Sequence, residues 1–389
     1  MNVVFIISTI FFLGGLITIY WIHDQNHMDI VVDSMPVPAN APLISICVPA
    51  RNEERNLRTC LEAILAQKYP NFELIVVDDR STDATPALLK ELSNETRLHA
   101  LVGAELPPGW AGKPHALHQA SLTARGEWLC FVDADTFLAP EALASCYVKA
   151  QETHADLFTV LTYQITGSFW EKVVLPLVMT ALSVGFSPRK VNDPSRRDAV
   201  ANGQFIMIKR SVYQAIGGYE HIKDQIVEDK AIAEQVKNNG YRLIMADGKK
   251  LVRTHMYTSL PQMWEGWTKN IYLGLRDQPA LLILGAVGAL LFVIAALVLP
   301  LWPLLGLFLF LHRGGWMAAA IITEALILWG ALIYKRAAVA RSMDISRWYA
   351  MTTPLGAGVF TAMMLTSSWK VIFGQGVTWK GRKYKPDAK

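Results

Sequence analysis

The chain has 389 residues, a formal net charge of +4, an apolar fraction of 52% and a mean hydropathy of +0.25, more apolar than the roughly 45–50% of ordinary soluble domains. The mild charge, with no run of Lys and Arg interleaved with aromatics, excludes a nucleic-acid-binding chain. Cys47, Cys60, Cys130 and Cys146 are scattered without CxxC spacing, which excludes a zinc or disulfide framework and fits buried thiols in a reducing compartment.

The apolar excess lies at the two ends, so the chain reads as a membrane protein with a soluble middle. Val3 to Ile22 carries no charge and is long enough to span a hydrocarbon core of about 30 Å. No Lys or Arg precedes it, and it exceeds the roughly 7–15 apolar residues of a signal peptide, so residues 1–23 are expected to be an uncleaved anchor. Residues 24–42, with Pro36, Pro38 and Pro42, read as a linker.

A domain is expected over 43–260. Leu43 to Val48 is a β-rich run followed by Pro49-Ala-Arg-Asn-Glu-Glu54, then a helical pattern through Leu57, Leu61, Ile64 and Leu65. Phe72 to Val77 reads as a second strand ending in Asp78-Asp79-Arg-Ser-Thr-Asp83, where Ser81 or Thr82 can cap the next helix. A third strand, about 97–102, leads through a Pro/Gly loop to Gly112-Lys113 and a helix from about Pro114 to Ala124. Glu127-Trp-Leu-Cys-Phe-Val-Asp-Ala-Asp135 is an apolar run ending in two carboxylates one residue apart, the pattern of a buried strand delivering Asp133 and Asp135 to a sheet edge. The alternation of strands and helices defines an α/β domain with a mostly parallel sheet.

Three strands therefore end in polar clusters: Arg51 and Glu53; Asp78 and Asp79; Asp133 and Asp135. In a parallel sheet these ends share one edge, the usual place for a nucleotide. Asp78 or Asp79 can accept hydrogen bonds from a base or ribose, Lys113 can offer a point charge to phosphate, and the Asp133/Asp135 pair can hold a hard divalent cation. The first strand-to-helix turn lacks the glycine fingerprint of nicotinamide-binding folds, and there is no Walker phosphate loop. A nucleoside diphosphate held through a metal remains.

In the second half, Asn202-Gly-Gln-Phe-Ile-Met-Ile-Lys-Arg210 has a polar entry and an apolar body, a strand approaching the site; Gly217-Gly218-Tyr219 is a turn. Ile226-Val-Glu-Asp229 opens a helix closed by Gly240. Glu228 and Asp229 stand there either as first-turn acids favouring the helix dipole or as reactive groups. His115 and His118, three apart on a helix, lack a third ligand and read as a helix face beside the pocket. Lys249-Lys-Leu-Val-Arg253 reads as a basic strand before His255.

The motifs Pro-Ala-Arg-Asn-Glu-Glu, Asp-Asp-x-Ser-x-Asp, Gly-Lys, Asp-Ala-Asp and Val-Glu-Asp, in this order over residues 43 to about 270, resemble those of family 2 inverting glycosyltransferases, and within them the membrane-bound lipid enzymes of carotenoid-acid (diaponeurosporenoate) and hopanoid type. The resemblance implies a GT-A fold, a UDP-sugar donor and Mg²⁺ or Mn²⁺. It implies donor contacts by Ala50, Arg51, Glu53, Asp78, Asp79, Lys113 and Asp133, metal ligands Asp133 and Asp135, and Asp229 as general base beside Glu228. Processive relatives carry Gln-x-x-Arg-Trp where this chain reads Gln262-Met-Trp-Glu-Gly-Trp267. That departure favours transfer of a single sugar to a lipid over the alternatives of a processive polysaccharide synthase or a non-catalytic sugar-binding scaffold. Trp264, Trp267, and Trp379 with Arg382 in the basic tail 374–389, are the acceptor or membrane residues expected on the same ground.

Phe169 to Phe186 is apolar but interrupted by Glu171, Lys172 and Pro176, leaving a core helix or an interfacial one open. Residues 261–279 read as an interfacial amphipathic segment. About three C-terminal spans are expected over 280–373: 280–299 with its extension to Leu311, 316–334 with Glu324 facing protein, and 349–373. Lys335, Arg336, Arg341 and Arg347 place the intervening loop, and hence the catalytic domain, at the cytoplasmic face of the plasma membrane. A re-entrant hairpin broken at Pro354-Leu-Gly-Ala-Gly358 would return the basic tail to that side.

Overall fold

The computed structural model describes residues 2–25, 27–275, 279–373, 376–379 and 382–384. The chain divides into two units, one of residues 28–165 and 186–256, the other of residues 1–27, 166–185 and 257–389. The segment 166–185, inside the domain expected over 43–260, thus belongs with the helical ends of the chain.

The first unit is built on strands β1 (Ile44–Ala50), β2 (Phe72–Asp78), β3 (Leu98–Val102), β4 (Trp128–Val132), β5 (Thr136–Leu138), β6 (Leu157–Leu161), β7 (Tyr163–Gln164), β8 (Phe205–Lys209), β9 (Leu243–Asp247) and β10 (Val252–Thr254). Seven of them form one sheet of order β3-β2-β1-β4-β8-β6-β9, and β5-β10-β7 form a second. The largely apolar runs of β1, β2 and β4, interrupted inside the strands by Ser45 and Glu73, follow from burial on both faces. Successive side chains alternate between two cores: Trp128 and Cys130 pack with Ile46, Leu61 and Ile64, while Leu129 and Phe131 pack with Cys47, Ile75 and Leu117. All four cysteines are buried and free, and burial holds their thiols far above the ordinary range.

The sheet is mixed. β1 pairs in parallel with β2 and β4, whereas β8 is antiparallel to both β4 and β6. The reversal has a consequence for the site. It brings the amino end of β8, residues 202–204, to the edge where the parallel strands end.

Two further expectations change. Residues 30–32 are sheet edge as well as linker: the Val32 N–H donates to the Asp247 carbonyl and the Asp247 N–H to the Ile30 carbonyl, each at 2.8 Å. The expected basic strand is mostly a turn, with Lys249 paired to Asp247 and Lys250 to Asp33, and only Arg253 in β10.

Among the described residues, five helical stretches are long and apolar enough to cross a membrane: Asn2–Gln25, Phe169–Asn192, Ile283–Arg313, Trp316–Ser342 and Arg347–Ile372. Glu324 accepts hydrogen bonds from Ser8 Oγ at 2.7 Å and Thr9 Oγ1 at 2.8 Å, so its carboxylate faces protein. The stretch left open by sequence is the helix Phe169–Gly185, with Pro176 inside it. Proline lacks the N–H that the Lys172 carbonyl would accept. Nη2 of the buried Arg336 donates instead to the carbonyls of Lys172 and Val173, at 3.3 and 3.2 Å. Lys335, Arg336 and Arg341 therefore sit on the helix Trp316–Ser342 and form no loop. Nor is there a break at Pro354: Thr353–Ile372 is one continuous helix with Pro354 in its first turn, where no N–H is needed. Trp379 and Arg382 are backbone partners in a short hairpin, Val377–Trp379 with Arg382–Tyr384, and their side chains lie outside the described residues.

Candidate active site

The loops after β1 and β2 are laced to each other by polar groups that the sequence supplies in pairs. The Ala50 carbonyl accepts from the Asp79 N–H at 2.7 Å, and Arg51 Nη1 donates to the Asp79 carbonyl at 2.6 Å. Asn52 holds a positive φ of 53°; its N–H donates to Ser81 Oγ while its side-chain oxygen accepts from the Thr82 N–H. The Glu53 N–H donates to Thr85 Oγ1. Asp78 and Asp79 are buried, and Asp78 Oδ1 accepts from the Ser81 N–H. Ser81 and Thr82 thus serve the loop; the helix begins later, at Thr85, whose N–H donates to Asp83 Oδ1.

β4 ends at Val132, leaving Asp133 and Asp135 half-buried at its carboxyl edge. Lys113, on the helix Gly112–Thr123, reaches Asp133 Oδ1 at 2.6 Å and Glu228 Oε1 at 2.7 Å. Burial alone would lower the Lys113 ammonium; Asp133, Glu228 and Asp229 outweigh it and raise its pKa well above the ordinary lysine value. Glu228 is therefore more than a first-turn acid on the helix Glu228–Asn238. Its buried carboxylate is tied to the same cation as Asp133.

Asp229 points to the opposite partner. Its Oδ2 accepts from the Gly203 N–H at 3.2 Å and its Oδ1 from the Lys230 N–H at 2.7 Å. Burial and the neighbouring Glu228 carboxylate push its pKa up to about 6, against the pull of Lys113 and the two N–H groups. A carboxyl group poised there is ionised at neutral pH yet basic enough to take a proton.

Gly203 is a site residue that the motifs did not single out. A Cβ there would lie 3.2 Å from both Asp229 Oδ2 and Lys113 Nζ, tighter than an ordinary contact, so glycine lets the β8 entry approach both side chains without displacing them. The sequence showed a polar entry to β8 but not that it turns against Asp229.

Asp133 and Asp135 suit a hard cation. Both are oxygen donors, Asp135 is fixed through its carbonyl, which accepts from the His255 N–H at 3.1 Å, and Thr136 follows in β5. Among the described residues no group of three or more His, Cys, Asp or Glu could hold a metal by itself. Two carboxylates completed by substrate phosphate oxygens is the arrangement Mg²⁺ ordinarily adopts. His115 and His118 pack against Trp110 with ring centroids 5.3 and 5.0 Å away, and His115 Nδ1 meets Gln119. In the other unit, Trp267 is buried on the helix Leu260–Leu275 with its ring 6.2 Å from Tyr257, while Trp264 is half-buried.

A sheet of this order with an Asp-x-Asp at the end of its central strand is the GT-A architecture of nucleotide-sugar-dependent transferases. Residues 45–217 match the family model described as glycosyl transferase family 2, so the chain carries a glycosyltransferase domain of that type. It is 29% identical over 353 residues to the 4,4'-diaponeurosporenoate glycosyltransferase of Staphylococcus aureus strain MRSA252, and 28% identical over 353 residues to that of strain USA300, the alignments covering 89% of each chain. A solved structure, the mannosyltransferase PcManGT from Pyrobaculum calidifontis in complex with GDP-Man and Mn²⁺, shares the fold with a TM-score of 0.54 at 19% identity, covering 95% of this chain and 98% of that one.

Proposed function

We infer that this enzyme transfers a single sugar from a UDP-sugar to a lipid acceptor, with inversion, at the cytoplasmic face of the plasma membrane. The observation that carries the reading is the Lys113 ammonium held between Asp133 and Glu228, with Asp229 anchored to Gly203 beside it. That arrangement supports a leaving diphosphate on one side and a base on the other. The loops of Arg51, Glu53, Asp78 and Asp79 are the proposed seat of the nucleoside. Lys113 supplies positive charge where the diphosphate departs. Asp229 takes the proton of an acceptor hydroxyl as it attacks the anomeric carbon from the face opposite the departing group. No covalent nucleophile is needed, hence inversion. A carboxylic acid acceptor arrives already ionised and depends less on this base.

Asp133 and Asp135 would hold Mg²⁺ or Mn²⁺, which when bound neutralises diphosphate charge as a Lewis acid. The five apolar helical stretches and the similarity to enzymes named for diaponeurosporenoate support a lipid acceptor, with an isoprenoid acid first among candidates. Absence of the Arg-Trp pair in Gln262–Trp267 favours single transfer over polymerisation.

The test is transfer of labelled sugar from a panel of UDP- and GDP-sugars into a bacterial lipid extract with Mn²⁺, comparing the native chain with Asp229→Asn. Label in the organic phase with the native chain and a drop of about 10²–10⁴-fold in the variant are expected for a hydroxyl acceptor. Label in a high-mass aqueous polymer, or none with any donor, would overturn the reading.

A further inference from the structure

Behind Gly203 lies a buried cluster of uncharged polar side chains that the mechanism above does not use. Gln204, Thr162 and Gln164 are 4, 5 and 8% exposed. Gln204 Oε1 accepts from Thr162 Oγ1, from Gln164 Nε2 at 3.1 Å and from Asn202 Nδ2 at 3.3 Å. Gln164 Nε2 also donates to Thr162 Oγ1 at 2.8 Å, and Asn202 Nδ2 to the Val160 carbonyl at 2.9 Å. These converging donors fix which end of the Gln204 amide is oxygen. Its nitrogen, on the other arm of the amide, has no hydrogen-bond partner among the described residues and is not fully buried, so it is open to a ligand. Gln164 Oε1, at the other side of the same amide pair, is buried and likewise has none.

The two unfilled groups are complementary, a donor on Gln204 and an acceptor on Gln164, on amides already joined by one hydrogen bond. Leaving the buried Gln164 Oε1 unmatched is unfavourable. A hydroxyl serves both at once, donating to Gln164 Oε1 and accepting from Gln204 Nε2. The placement suits a sugar. Gln204 directly follows Gly203, which is bonded to Asp229. Gln164 in β7 lies in register with Thr254 of β10, and Thr254 with Thr136, the residue after Asp135, so it stands two strand spacings, about 10 Å, from that carboxylate edge.

The geometry points to Gln204 and Gln164 as a hydroxyl-reading subsite for the substrate ring at the reacting centre, the hydroxyl belonging to the donor sugar or to the acceptor. This rests on the glycosyl-transfer reading above and names residues that none of its steps requires.

The experiment uses the full chain in detergent micelles. Gln204→Glu keeps an oxygen for Thr162 and removes the outward N–H; Gln164→Met removes the acceptor at similar volume, and thermal unfolding of each reports whether the fold is retained. Affinity is measured for UDP and GDP alone and for the sugar nucleotide the native chain uses. A donor-sugar hydroxyl predicts unchanged binding of the bare nucleotide and a loss of about tenfold or more for the sugar nucleotide. An acceptor hydroxyl predicts unchanged affinity for both and a comparable rise in the KM of the lipid. Independently of any variant, the native chain should reject one monodeoxy form of the donor sugar or acceptor by a similar factor. Folded variants equal to the native chain in all three constants, or a native chain indifferent to every deoxy analogue, overturn the subsite while leaving glycosyl transfer standing. A native chain that transfers from no sugar nucleotide overturns the transfer reading, and the subsite with it.

Discussion

Gly203→Ala is the smallest change that reaches both charged partners of the site. Gly203 does not occupy the left-handed region, so alanine meets no backbone strain; what it adds is one methyl, 3.2 Å from Asp229 Oδ2, 3.2 Å from Lys113 Nζ and 3.4 Å from Asp229 Cβ. Contacts of that length require the neighbours to yield by a few tenths of an ångström. The two nearest atoms are the ends of side chains and not backbone, so the cost in stability should be about 1 kcal/mol. Catalysis is less forgiving. Displacements near 1 Å cost on the order of 10²-fold, so a shift of a few tenths should lower kcat by about three- to tenfold. The same push lengthens the Gly203 N–H···Asp229 bond, which holds the Asp229 pKa down, so the acidic limb of the pH–rate profile should move upward. The assay is kcat against pH beside thermal unfolding of the same preparation. Full activity with an unmoved limb, in a folded variant, would refute the argument that Gly203 sets the distance between Lys113 and Asp229.

Other consequences can be measured alongside it. With a hydroxyl acceptor, Asp229 must be ionised to act; because its carboxyl is pushed up to about 6, rate should fall about tenfold per unit as pH drops below that value and level off above it. Glu228→Gln removes a neighbour that raises this carboxyl and should shift the limb downward, and a flat profile in the native chain would rule Asp229 out as the base. Asp133→Asn and Asp135→Asn should each raise the Mn²⁺ concentration needed for half-maximal transfer; unchanged metal dependence in both would remove them as ligands. In the helical unit, Arg336→Leu leaves the Lys172 carbonyl without a donor, at a cost of about 1–3 kcal/mol. Pro176→Ala, which restores the missing N–H, should recover part of that loss in the double variant, whereas simple additivity would show that Arg336 does not compensate for the proline.

Much of the fold could be read from local pattern because local physics decides it. The apolar runs at 43–48, 72–77 and 128–132 read as strands, and strands linked by helices pair in parallel, so the acids that follow them share an edge. Long apolar runs announced four of the five stretches able to cross a membrane. What failed were readings in which one element takes its meaning from another. Charges at Lys335, Arg336 and Arg341 suggested a loop, yet they continue a helix because Arg336 answers carbonyls near Pro176 in a segment 160 or more residues earlier. Pro354 and its glycines suggested a break, but proline in a first helical turn breaks nothing.

The sequence by itself determined the strand runs, the edge carrying Asp78, Asp79, Asp133 and Asp135, and the family motifs, since each depends on residue type and short spacing. Only the tertiary structure decided that β8 runs antiparallel. That single reversal sets Gly203 against Asp229 and Lys113, and Gln204 against Gln164, because pairing direction is a property of two strands distant in sequence and neither carries it alone.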